Sequence, residues 1–130
     1  MRRAAAVLLS ASWAIALCGC TARVSTRHAI QLPSGESVMI DRQHEDSFTN
    51  VSGVKKHIFE VEYISAYGMD DIASLRKEAM EIFAYYEPQI DKGDYTDVSF
   101  APEAKTPNNS VEARPILFQH DANGQWMMMP

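Results

Sequence analysis

Cysteine is almost missing from this chain: Cys18 and Cys20 are the only two, and none follows them. A disulfide framework beyond residue 20 is therefore excluded, as is a thiol nucleophile or a C-x-x-C redox pair there. Clustered positive charge is missing too. Lysine and arginine total 12 against 17 acids, and Lys55-Lys56 is the densest basic spot outside the N-terminus. Such a surface does not release the counterions that drive nucleic-acid binding, and it suits anionic headgroups poorly. No apolar run reaches the roughly 20 residues of a spanning helix. The chain lacks a G-x-S-x-G elbow, a Gly-rich phosphate loop and an H-E-x-x-H motif. No catalytic constellation is legible, and the reading is of a protein that is neither an enzyme nor a cofactor carrier.

What is present points first to the opening twenty residues. Met1-Arg2-Arg3 is a basic start. Ala4 to Leu17 is an apolar stretch broken only by Ser10 and Ser12, and Cys18-Gly19-Cys20 ends it. A basic n-region, a short apolar h-region and a small-residue end describe an export signal. The remaining length fits one domain, which in the absence of disulfides must rest on a packed core.

Leu17-Cys18-Gly19-Cys20 resembles the lipobox of bacterial lipoprotein precursors, in which Leu, a small residue and Gly or Ala precede the lipidated Cys. Cys18 stands where Ala, Ser or Thr is commoner. The resemblance covers Met1 to Thr21 and identifies no family for the domain. It implies a signal peptide over residues 1–19 that is cleaved, acylation of Cys20, and durable anchoring by several acyl chains. Thr21, in place of Asp, implies the outer membrane facing the periplasm in a Gram-negative cell. Cleavage removes two arginines and no acid, which leaves 111 residues and takes the formal charge from −5 to −7. Residues 20–28 then read as a lipidated tether, and 29–130 as a single α+β domain.

Within that domain, Ile30/Leu32 and Val38/Ile40 alternate around Pro33-Ser34-Gly35-Glu36, which predicts a hairpin over 29–42. Asp41 to Gly53 reads as a polar loop. Phe59, Val61 and Tyr63 alternate with Glu60 and Glu62, predicting a half-buried strand over 56–65. Ile72, Leu75, Ala79, Ile82, Phe83 and Tyr86 follow helical spacing, with Asp70 or Asp71 as cap and Pro88 as the end or bend of a helix over 70–90. Arg76, Lys77, Glu78 and Glu81 fall off its stripe. Residues 95–101 alternate again, with Thr96, Val98 and Phe100 on one face, and 102–110 reads as a loop. Strands at 115–119 and 125–129 flank Asn123-Gly124, a strong hairpin signal. The expected fold is one small sheet of five or six mostly antiparallel strands with one long helix on a face. Whether the strand–helix–strand crossover is parallel stays open.

Candidate chemistry is thin. His44-Glu45-Asp46, with Asp41 and His57, offers metal-ligand types without a recognised spacing. His120 with Met127 and Met129 has the softness that suits copper, although strand geometry lets only Met127 and Met129 share a face. Tyr67 and Tyr85 are candidate exposed contacts, and Tyr63 and Tyr86 read as core residues with wet hydroxyls. Glu60 and Glu62 share a strand face. These observations lead to the expectation of a small membrane-anchored envelope lipoprotein, a non-catalytic binding or structural module. Its expected partners are the membrane, through Cys20, and an envelope protein, with no nucleic acid. The alternative is a periplasmic metal or small-ligand carrier.

Overall fold

A computed structural model describes residues 27–105 and 111–130, with the side chains at 105, 111 and 112 left aside. The leader, Cys20, most of the tether and Asn108-Asn109-Ser110 lie outside the described residues. The elements are β1 (His28–Gln31), β2 (Ser37–Thr49), β3 (Lys55–Ile64), α1 (Ile72–Lys92), β4 (Asp97–Lys105), β5 (Val111–Ala113), β6 (Ile116–His120) and β7 (Trp126–Met128). Six strands form one path, β1-β2-β3-β4-β6-β7, and β5 pairs with β4 alongside it. All pairings are antiparallel except β3 with β4, which run parallel across α1. The fold is the expected α+β arrangement, and the open choice at the crossover is resolved as parallel.

Burial explains that choice. Phe59, Val61 and Tyr63 stand opposite Val98, Phe100 and Pro102 in the parallel register. All six are buried, so the two central strands present one apolar surface to the helix. From the other side come Leu75, Ala79, Ile82, Phe83, Tyr86 and Ile90. Phe83 stacks on Phe118 with centroids 4.8 Å apart, and Phe59 meets Tyr86 edge-on at 5.4 Å. Ile72 is 48% exposed and does not belong to the core stripe. Glu78, expected off the stripe, is buried instead. Its carboxylate accepts from Ser65 Oγ at 2.6 Å beside the buried Tyr63 hydroxyl. Neither Tyr63 nor Tyr86 keeps its hydroxyl in water.

Several boundaries move for identifiable reasons. Residues 41–49 form strand where a loop was expected. Only Phe48 is apolar among these residues, so apolar alternation disappears from this part of β2 while cross-strand pairs such as Arg42 with Glu62 and His44 with Glu60 hold the register. A β-bulge between Ile40 and Arg42 makes Asp41 the extra residue. His28, read as tether, already pairs with Ile40 in β1. Pro88 lies inside α1 and does not end it. Both Pro88 and Ala84, whose carbonyl loses its donor, are exposed, so water can satisfy that carbonyl, while buried Ile90 holds the last turn. Asp71 supplies the cap, accepting from the Ser74 N–H at 3.2 Å. Pro102 is likewise inside β4. The β5 and β6 ladders fall on either side of it, an interruption at which a missing N–H is tolerated. Asn123-Gly124 turns the β6–β7 hairpin as expected, with Gly124 at φ 76° and Asp121 Oδ1 accepting from two backbone N–H groups. Among the described residues, no helix is long and apolar enough to cross a membrane.

Two stability measurements test this core. Phe59→Ala is expected to cost about 3–5 kcal/mol in urea denaturation, against about 0.5 kcal/mol or less for fully exposed Val51→Ala. Burial, opposed by the Ser65 hydrogen bond, raises the Glu78 carboxyl above its ordinary value. The native state then holds that proton more tightly than the unfolded chain, so this contribution is complete at low pH and is lost as pH rises through the native value. Glu78→Gln should therefore be the more stable protein at pH 8, with the gap closing towards pH 4. A gap that stays constant across that range would contradict the assignment.

Candidate functional site

The sheet face that α1 does not cover collects the charge. Strand alternation directs Glu60 and Glu62 of β3, and Ser99, Ala101 and Glu103 of β4, away from the helix. Arg42 and His44 face the same way, through their pairing with Glu62 and Glu60. Arg42 grips Glu62 with two donors, Nε at 2.9 Å and Nη2 at 2.6 Å. The bulge residue Asp41 pairs with Arg27. One carboxylate oxygen each from Asp41, Glu62 and Glu103 lies within 4.8 Å of the others.

Electrostatics divides the carboxyl groups. Burial pushes Glu103 up, and its hydrogen bond to Glu62 and repulsion from Asp41 and Glu62 push it further, to about 7, with Arg42 opposing. Burial also acts upward on Glu62, but the hydrogen bonds from Arg42 and Glu103 outweigh it and hold that carboxyl below its usual range. Below about pH 7 the pair therefore holds one proton, Glu103 donating and Glu62 accepting. Oxygen donors of this kind suit hard cations. Here, two arginines and the shared proton already offset much of the negative charge.

The parallel crossover and the bulge assemble this cluster; the sequence leaves the first open and gives no sign of the second. With β4 ending at Ala101, Glu103 counted as loop. Extending its alternation through Pro102 would have placed Glu103 on the same face as Glu62.

A second polar constellation lies at the far end of the β2–β3 ribbon, beside a cleft of about 410 Å³ lined by Ser47, Thr49, Lys55, His57, Asp94 and Thr96 among others. His57 Nδ1 lies 2.9 Å from the Asp94 carbonyl, and its Nε2 is 3.6 Å from Glu45 Oε2. Tyr95 donates its hydroxyl to Glu45, and burial followed by that hydrogen bond raises the phenol to about 12. Gly93 permits the arrangement, since a Cβ there would lie 2.0 Å from the Tyr95 ring.

The other sequence candidates are scattered. His44 pairs with Glu60 on the uncovered face, whereas His57 lies on the helix side of the same ribbon. His120 pairs with Trp126 and lies against its ring at 3.7 Å. Met127 pairs with Gln119 and points to the opposite face, and Met129 lies beyond the end of β7. Tyr85 is 46% exposed and meets Tyr86 edge-on, while Tyr67 is half-buried.

A third feature was not foreseen. A recess of about 280 Å³ lies between the start of α1 and the β6–β7 end of the sheet, with Arg76, Arg114, Ile72 and Leu117 in its wall. Arg76, expected on a solvated face, donates Nη1–H to the Met129 carbonyl at 3.0 Å.

No family model, curated protein or solved structure matches this chain.

Carboxyl-resolved ¹³C NMR checks the proton-sharing pair. Glu103 should titrate near pH 7. Asp41→Asn should lower that midpoint, and Arg42→Ala should raise it. The raised midpoint makes the Glu103 contribution to stability fall as pH rises through it, so Glu103→Gln should flatten the stability profile around neutrality. A Glu103 midpoint at the ordinary glutamate value would rule the sharing out.

Proposed function

We propose that the chain is a small lipoprotein of a bacterial envelope, anchored through acylated Cys20 in the outer membrane and facing the periplasm. Its α+β domain serves as a non-catalytic binding or structural module. The observation that carries this reading is Leu17-Cys18-Gly19-Cys20 at the end of a basic and then apolar leader. Two features support it. The lone cysteine left after cleavage would be consumed by lipid, leaving no thiol in an oxidising compartment. The first strand begins at His28, eight residues past Cys20, so a fully extended tether reaches about 28 Å. That distance would keep the domain close to the bilayer. A second reading, a carrier of a small ligand, is favoured by one observation, the recess beside the start of α1.

Growth with radiolabelled palmitate tests the anchor. Label is expected in the wild-type protein and in Cys18→Ser, both in the membrane fraction. Cys20→Ser should carry no label and should leave the outer membrane. Labelling and fractionation unchanged by Cys20→Ser would refute the proposal.

A further inference from the structure

The turn that joins β2 to β3 carries hydrocarbon at the end of a polar ribbon. Val51 is fully exposed, and Phe48 and Val54 are 47% and 51% exposed. No acid lies between Ser47 and Lys56, and Lys55-Lys56, the densest basic spot outside the N-terminus, flanks the turn. Lys56 reaches back to Asp97 at 3.2 Å, and no described acid pairs with Lys55. The nearest acids of β2, Glu45 and Asp46, lie behind Phe48. The turn also satisfies much of its own backbone. Asn50 N–H donates to the Val54 carbonyl at 2.9 Å and Gly53 N–H to the Asn50 carbonyl at 2.9 Å. Asn50 Oδ1 accepts from the Ser52 and Val54 N–H groups at 3.0 and 2.9 Å. Each of these bonds lowers the cost of taking the turn out of water.

The direction of the chain puts a bilayer within reach of this turn. β1 is antiparallel to β2, with Gln31 opposite Ser37 and His28 opposite Ile40. Traced backwards from Gln31 to His28, β1 therefore heads the same way as β2 from Ile40 to Thr49, towards the turn. That stretch of β2 is about 30 Å long, and the eight residues from Cys20 to His28 reach about 28 Å. A lipid on Cys20 and the apolar turn can thus meet one surface.

We propose that the β2–β3 turn is a second membrane contact, with Phe48, Val51 and Val54 entering the headgroup boundary of a bilayer and Lys55 meeting lipid phosphate. The proposal rests on the anchored reading and names the surface with which the domain meets the membrane. Apolar area supplies the insertion, and the lysine adds attraction to anionic headgroups that the acidic remainder of the domain lacks.

The test reconstitutes the purified acylated chain in vesicles of phosphatidylethanolamine and phosphatidylglycerol (3:1) that carry acyl-brominated lipid. Val51→Trp should show a blue-shifted emission quenched by bromine, over the background that the wild type reports. Ile72→Trp, at the start of α1 and the other end of β3, should show neither. In the Val51→Trp background, Phe48→Ser should lower the ratio of inserted to free turn about tenfold. Lys55→Gln should lower it about fivefold, and should have no effect in phosphatidylcholine vesicles. Unquenched emission from Val51→Trp would overturn the proposal, as would equal quenching of Ile72→Trp or indifference to both Phe48→Ser and Lys55→Gln. A blue shift that grows with protein concentration in the absence of lipid would assign the turn to a second copy of the chain and overturn it too. Palmitate label on Cys20 is read separately: label without quenching refutes the turn contact alone, and quenching by added vesicles without label refutes the anchor alone.

Discussion

The parallel pairing of β3 with β4 is the constraint on which the rest of the molecule depends. It places Phe59, Val61 and Tyr63 beside Val98, Phe100 and Pro102 in the middle of the sheet, and this apolar floor is what the helix needs to bury its own stripe. Parallel neighbours require a long crossover, and α1 is that crossover. The helix is thus both the connection and the lid of the core. Its aromatic contacts, Tyr86 on Phe59 and Phe83 on Phe118, tie the lid to β3 within the central pair and to β6 beside it.

The same register determines the opposite face. Because side chains alternate, every buried residue of β3 and β4 is flanked by one that points away from α1. Pairing Ile64 with Glu103 brings that acid to Glu62, and the bulge at Asp41 adds a third carboxylate. Three acids so close cannot all ionise at ordinary cost. The structure relieves the repulsion with Arg42, Arg27 and a proton held between Glu62 and Glu103. The charge on this face is therefore largely an internal matter of the sheet. A largely apolar recess that also holds Arg76 and Arg114 lies at the other end of the helix from Gly93.

Local chemistry explains where elements run past their expected ends. Proline at 88 stays in the helix because the carbonyl it orphans faces water, and proline at 102 stays in the strand because the ladder beside it is already broken. Residues 41–49 are polar except for Phe48, even where Gln43 and Glu45 stand opposite buried Val61 and Phe59, so only the partner strand reveals them as strand. Glu78 is the reverse case. Its charge suggested solvent, but the turn of the helix it occupies is covered, and Ser65 supplies the hydrogen bond that makes burial tolerable.

The sequence by itself determined the periodic elements. Strict alternation over 59–63, helical spacing from Leu75 to Tyr86 and the Asn123-Gly124 turn are local signals, so they could be read without a partner. The leader and lipid anchor proposed for residues 1–20 are also read from local sequence and from nothing else. Tertiary structure decided everything that depends on pairing between distant strands: the parallel crossover, the strand character of 41–49, the meeting of Asp41, Glu62 and Glu103, and the recess that joins Arg76 to Arg114. It also separated His44 from His57 and His120 from Met127, which the sequence had left together. The physical reason is common to all of these. A strand's faces are set by its neighbours' register, and register is a long-range property that no window of residues contains.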